Sequence, residues 1–362
     1  QKFLGGYFMN KINVHIKKSK IEACKAFMRL IDTTQVMHPT SDKKEVIKNR
    51  FSHSYDVLTS AKIMAENLEC SLDVDYQRSL EVVCLLHDIG HPAFGHEGQK
   101  VLSARFKEMG LKEGFNDNNN NFVIIEKEQL SLEPYDLASL IKYPEKLYAN
   151  QHKYLKMLDD SIYEDISYFE SKIKIFNKPT RTVACEIMDE ADRNSYVCSD
   201  LTDALVLGWG DVQDFEALLE NKYSSFTIKE FLYSAIGAIK ERDKSLIKRI
   251  FNNLKVEFNQ NFILGDNLKL EAKNQELLLF REDLYRVEEK IFIHNEEVVK
   301  QRVENMKILE AYIDLVVKDK YYPSKTYKKL IESSSGEQKL RFLRDMIAEV
   351  SDWYVLNTMK GR

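Results

Sequence analysis

Apolar residues recur every three to four positions along most of the chain, the period of helices with one buried face. Residues 18–37 read as an amphipathic helix followed by a turn. Residues 46–69 read as a second helix, with His53, Val57, Ala61, Met64 and Leu68 on one face. Residues 77–88 read as a third, with Leu80, Val83, Cys84 and His87 at i, i+3, i+4 and i+7, so a histidine shares a stripe with core residues. GHPAFGHEG (90–98) holds three glycines and a proline and is predicted to turn. NDNNNN (116–121) is polar and of low complexity, the signature of a flexible linker or exposed loop. LASLIKYPEK (137–146) reads as a helix stopped by Pro144. Residues 181–207 form a long helix candidate, GWGDVQD (208–214) a break, and 215–362 mostly long, charged amphipathic helices. There are no clean period-two runs and no internal repeat, so the expected fold class is all-α.

Composition supports that reading and removes several function classes. Thirteen glycines and six prolines are about 5% of the chain, well under the ordinary share of about 12%, so few helices need be broken. With 44% hydrophobic residues, burying a large core is no obstacle, and a net charge of −4 gives no field that argues for nucleic acid or an acidic membrane surface. The five cysteines (Cys24, Cys70, Cys84, Cys185, Cys198) form no CxxC pair, and reduced thiols in a cytoplasmic protein are the simplest account. No run of about eighteen apolar residues is present, and the first residues lack the basic and apolar regions of a signal peptide. No membrane association is expected.

The chemistry concentrates in LLHDIGHPAFGHEGQK (85–100), where three histidines fall within ten positions. A lone histidine on an apolar helix face is usually a satisfied core residue. With Asp88 beside His87, a carboxylate on a buried stripe needs compensation, which a cation supplies. Far along the chain, Asp192, Tyr196 and Asp200 are spaced i, i+4 and i+8 and would project from one helix face. Cys185 and Met188 share that side, so the face is not simply a solvated acidic one. The letters DEAD (189–192) invite a helicase reading, but that needs a GxxxxGK[ST] loop. Gly90 and Gly95 have the separation, and His96 stands where the lysine must be.

NRFSH (49–53), HD (87–88) and the distant Asp192 resemble the H…HD…D pattern of the HD-domain phosphohydrolases. The likeness extends to their deoxyguanosinetriphosphate triphosphohydrolases. KAFMRLIDTTQV (25–36) resembles "FRRL…TQV", RFSHSYDV resembles "RLTHSLEV", and HDIGHPAFGHEGQ resembles "HDIGHPPFGHxGE". SLIKYP (139–144) resembles "LLKYP", EIMDEADRNSYVCSDLTDA resembles "EAADDIxYxxxDLEDA", and more loosely RDMIAEVSDWY (344–354) resembles "DYIAGMTDRY". These segments occur in the family's order and cover most of the chain.

That resemblance implies an N-terminal extension (1–17), an HD-domain multi-helix core (18–210) and an additional C-terminal helical region (211–362). It implies one divalent metal per subunit on His53, His87, Asp88 and Asp192: magnesium, manganese or cobalt first, with iron, nickel or zinc as alternatives. Arg50 would contact a phosphate, and His91 and His96 would act on the triphosphate and on the attacking or leaving group. Lys142 and Tyr143 would line the nucleotide pocket, Tyr196 would stack near the sugar, and Asp200 would bind its 3′-hydroxyl. Gln35 would approach base and sugar, and Asn118 is kept from the family's "GFEGNAQ". The implied reaction is water attack on the α-phosphorus of a dNTP, dGTP by default, releasing deoxynucleoside and inorganic triphosphate. A homo-oligomer, with a dNTP or single-stranded nucleic acid as effector, is also implied.

The chain departs from the pattern in three places. The acid that follows the "GHxG" histidine by three residues is Gln99, which is placed with His91 and His96 in the catalytic group. Either the amide keeps the hydrogen bond, or Glu97 substitutes, or the enzyme is slow or differently regulated. "GFEGNAQ" reads GFNDNNN (114–120), and the second acid of "ADD" is Arg193, a position expected to contact phosphate. These departures motivate alternatives: a nucleotide-sensing or nucleic-acid-binding regulator with weak catalysis, or an HD phosphohydrolase for another nucleotide.

Overall fold

The computed structural model describes residues 15–37, 47–68, 74–143, 181–220, 223–265 and 269–360. Cys70, Pro144 and most of the N-terminal extension lie outside them. A helical segment over 15–23 leads into a short helix, Lys25–Met28, and a 3-10 turn, Arg29–Asp32. Helix α1 (Arg50–Asn67) is started by Asn49, whose side chain accepts from the Ser52 N–H and satisfies one of the orphan donors of the first turn. It is followed by α2 (Val74–Leu86), α3 (Gly95–Glu108), α4 (Asp117–Lys127) and α5 (Pro134–Ser139). Helix α6 (Val183–Val206) is capped in the same way by Thr182. Beyond it come α7 (Val212–Glu220), α8 (Phe226–Glu241), α9 (Lys244–Gln260), α10 (Gln275–Glu288), α11 (Glu296–Lys318), α12 (Lys325–Glu332), α13 (Gly336–Ala348) and α14 (Asp352–Lys360).

The all-α expectation holds, with one small exception. Strands β1 (Phe262–Leu264) and β2 (Leu270–Ala272) pair antiparallel between α9 and α10, with Phe262 opposite Ala272. Three residues per strand are too few to show alternation in a sequence.

Two local expectations are corrected. The run NDNNNN is not a linker: Asn116 caps α4, and Asn120 and Asn121 are buried. Asparagine is a mediocre helix former, but these amides are spent on tertiary hydrogen bonds described below, which outweigh the local propensity. The helix read in LASLIKYPEK ends earlier, at Ser139, and Leu140–Tyr143 run on without helix.

The core has three parts. Ile21, Phe27 and the apolar faces of α1 and α2 pack on the first half of α6 through Ala184, Ile187, Met188 and Ala191. The second half of α6 (Val197, Leu201, Ala204) packs with Phe231, Phe251 and Phe280 from α8, α9 and α10. Leu102 and Phe106 of α3 join Leu309 and Tyr312 of α11 and Met346 and Val355 of α13 and α14. Each large side chain so buried contributes about 1.5–3 kcal/mol. Asp192 sits where α6 passes from the first core to the second. Among the described residues no helix is long and apolar enough to cross a membrane.

Candidate active site

His53 lies one turn into α1, on the face carrying Val57, Ala61 and Met64, and is buried with them. His87 and Asp88 follow the last residue of α2 directly, so the apolar stripe of that helix carries them inward. Asp192 comes from the middle of α6. The three elements bring His53 Nε2 to 2.9 Å from Asp192 Oδ1 and His87 Nε2 to 3.7 Å from the same oxygen. Asp88 Oδ1 lies 3.5 Å from His87 Nε2.

The donor set fits a divalent cation. His87 Nδ1 is 2.8 Å from the Cys84 carbonyl, to which its proton is donated, so the lone pair is on Nε2. That Nε2 is buried without a hydrogen-bond partner. One atom each from His53, His87 and Asp192 converge within 4.8 Å of one another. Two imidazoles and two carboxylates are the borderline ligand mix that suits magnesium through zinc. The electrostatics agree. Burial opposes charge on Asp88 and Asp192, but the cations beside them, Arg50 at the first and Lys142 at the second, help to hold both carboxyls well below the usual range.

A cavity opens beside this cluster, lined by the donor pair Asp88 and Asp192 and by Arg50, His91, His96 and Lys142, among others. Arg50 is buried; its Nη1 donates to Asp88 Oδ2 at 2.6 Å, while its Nε and Nη2 have no partner. Room for this guanidinium depends on Gly95: a Cβ there would stand 2.6 Å from Arg50 Nη2, and its φ is +57°. Lys142 donates to Asp192 Oδ2 at 3.2 Å and lies 3.8 Å from Asp189. Burial works against its charge, but these carboxylates outweigh it and raise its pKa. His91 sits between two carboxylates, with Nδ1 3.3 Å from Asp88 and Nε2 2.9 Å from Asp117. His96, in the first turn of α3 and open to solvent, meets the His91 ring edge-on at 4.9 Å. Desolvation, then His91 and Arg50, lower its pKa, which keeps the ring neutral near pH 7.

The glycine-rich turn is clamped by α4 and by Asp352. Asn121 accepts from the Gly90 N–H at 2.7 Å and donates to the His87 carbonyl at 3.0 Å; Asn120 donates to the Gly90 carbonyl at 2.8 Å. A Cβ on Gly90 would lie 2.1 Å from the Asp117 carbonyl, so only glycine lets α4 approach. Asp352, from the far end of the chain, accepts from Phe94 N at 2.7 Å and from Thr34 N at 2.8 Å. Phe94 itself takes a left-handed φ of 62°.

Of the residues expected from sequence, Gln35, Arg50, Asn118, Lys142, Tyr143, Arg193 and Tyr196 line the cavity with Asp88, His91, His96 and Asp192. His53 and His87 stand behind it in the donor cluster. Asp200 is buried one turn beyond Tyr196, and is not on the lining. Gln99 is also off the lining, against Asp117. Glu97 lines the cavity, but its carboxylate is paired with Lys100 at 2.9 Å. Sequence reasoning missed Asp117, Tyr285 and Arg302. Asp117 was visible as the single acid in an asparagine run; Tyr285, stacked on Tyr196 with centroids 6.0 Å apart, and Arg302 lie on C-terminal helices with no local signal.

The chain is similar to several known proteins. The HD domain family model matches residues 50–193. A deoxyguanosinetriphosphate triphosphohydrolase-like protein of Rickettsia felis is 25% identical over 355 residues, covering 94% of this chain and 88% of its own. The protein of the same description from Rickettsia akari is 24% identical, covering 94% and 86%. Among solved structures, a hypothetical protein from Aquifex aeolicus matches with a TM-score of 0.44 and 15% identity over 96% of this chain and 68% of its own. Residues 50–193 are similar to the HD domain, and the donor set they carry supports the chemistry of a metal-dependent phosphohydrolase.

Proposed function

We propose that the chain hydrolyses deoxynucleoside triphosphates, dGTP by default, to a deoxynucleoside and inorganic triphosphate. His53, His87, Asp88 and Asp192 would hold one divalent ion, magnesium, manganese or cobalt. When bound, that ion supplies Lewis-acid polarisation of a phosphoryl oxygen and lowers the pKa of water.

The observation that carries the reading is Arg50. Its guanidinium is fixed on Asp88 through one nitrogen, and two others, Nε and Nη2, are buried beside the metal donors with nothing to bind. A buried N–H without a partner costs about 1–3 kcal/mol, and a phosphate oxygen is the acceptor that an arginine fork best fits. Lys142, Arg193 and Arg302 add positive charge to the same cavity, as a polyphosphate requires. The stacked Tyr196 and Tyr285 offer a flat wall for sugar or base. The names of the similar proteins favour a triphosphate over other nucleotides.

In the reaction a bond forms between water oxygen and the α-phosphorus, and the bond from that phosphorus to the 5′-oxygen breaks. The water loses a proton and the 5′-oxygen gains one. His91 and His96 make those transfers. Arg50 and Lys142 stabilise the charge that builds on the phosphate oxygens.

The test is a product assay on all four dNTPs with magnesium, manganese or cobalt. Deoxynucleoside and triphosphate are expected. Monophosphate with pyrophosphate, or no turnover of any dNTP with any of the three metals, would overturn the reading.

A further inference from the structure

The family's acid three residues after the "GHxG" histidine is replaced here by Gln99, which supplies no charge. The structure shows a carboxylate in that neighbourhood from another element. Asp117, in the first turn of α4, is buried with Oδ2 2.9 Å from His91 Nε2. With its nitrogen facing Asp117, the Gln99 amide donates to both carboxylate oxygens, at 2.8 and 3.0 Å. The Asn118 N–H donates to Oδ1 at 2.8 Å. Among the described residues no lysine or arginine pairs with Asp117, so its charge faces the imidazoles. Glu97, the other substitute considered, turns instead to Lys100.

We infer that Asp117 is the carboxylate that positions His91, and through ring contact His96, for proton transfer, and that Gln99 holds it there. Residues 99 and 117 then form a matched amide–carboxylate pair. The amide comes from α3 and the carboxylate from α4. The pairing also explains why position 99 is not an acid: a glutamate there would set two carboxylates at hydrogen-bonding distance with no cation between them. His91 Nε2 lies 2.9 Å from Asp117 without the geometry of a hydrogen bond, and such contacts tighten in the substrate complex.

The inference rests on the reaction proposed above, so its test has one readout that depends on turnover and one that does not. Three variants are compared with the wild type in magnesium: Asp117→Asn, Gln99→Glu and the double exchange. Asp117→Asn is expected to lower kcat by about a hundredfold, the scale of one general acid–base contribution, with KM changed less than about threefold. Gln99→Glu alone is expected to lower kcat as well. The double variant restores one amide and one carboxylate in exchanged places, and is expected to recover at least about tenfold over Asp117→Asn. A merely structural role for Asp117 gives no such rescue. An Asp117→Asn enzyme with wild-type kcat, or a double variant no better than Asp117→Asn, would overturn the inference. The second readout is the ring-nitrogen NMR spectrum of His91 in histidine-labelled, magnesium-loaded protein. The Nε2 resonance should change in Asp117→Asn and return in the double variant; identical wild-type and Asp117→Asn spectra would overturn the positioning role. If the wild type cleaves no dNTP, the reaction proposal fails while the spectrum still decides the role of Asp117.

Discussion

His87 gives its Nδ1 proton to the carbonyl of Cys84, one turn back on its own helix, and turns a bare Nε2 toward Asp192 and Asp88. A histidine on an apolar stripe is ordinarily a core residue; here the stripe buries the ring and the Cys84 carbonyl fixes its tautomer. The central donors were legible for that reason. His53 and His87 lie on helical faces whose period is plain, and Asp88 and Asp192 belong to a recognisable pattern of spacing. Asp117 stood out as the one acid in its run, but its orientation was not legible, because a carboxylate among asparagines has no periodicity to say which way it faces. If Asp192 is a ligand, Asp192→Ala should weaken divalent metal binding by at least about a hundredfold, measured by calorimetry and by metal content after dialysis. Full occupancy in that variant would remove Asp192 from the site.

Helix α4 is where local reading and structure part most clearly. Low complexity and weak helix propensity both indicate a loop, yet Asn116 caps the helix and Asn120 and Asn121 bind the backbone of the HD turn. A sequence displays propensity directly, whereas the acceptor of a buried amide lies about thirty positions away and leaves no local trace. The long α6, by contrast, was readable almost to the residue, since 181–207 keeps one apolar face throughout and the helix runs Val183–Val206. Asn121→Ala should cost about 2–3 kcal/mol, because it strands the Gly90 N–H and the His87 carbonyl away from water. Urea unfolding checks this: the midpoint should fall with the slope unchanged, and an unchanged midpoint would mean the clamp carries no stability.

At the scale of the whole molecule, two of the three cores share α6, and Asp200 and Asp203 of that helix are buried beside them. Asp203 is buried, and desolvation pushes its pKa up to about 7 despite the N–H of Lys48. Its unfolded value is near 3.8, so between about pH 4 and 7 the folded state binds more protons than the unfolded one. Stability therefore falls as pH rises through that window, by up to about 1.4 kcal/mol per unit for one proton, and levels off above it. Asp203→Asn keeps an acceptor for Lys48 and removes the titration. Thermal unfolding from pH 4 to 8 should show the wild type losing stability relative to that variant; parallel curves would contradict it. How the first part of the chain shares cores with the last, as Phe106 does with Met346, was beyond a reading of sequence, because contacts over that separation follow no local period. The proposed function sets Arg50, Lys142 and two histidines around a triphosphate beside a metal, and hydrolysis of dGTP in ¹⁸O-labelled water with magnesium tests that proposal most directly. The account predicts one ¹⁸O in the released triphosphate and none in the deoxynucleoside. Label in the nucleoside 5′-hydroxyl, or products of monophosphate and pyrophosphate, would contradict it.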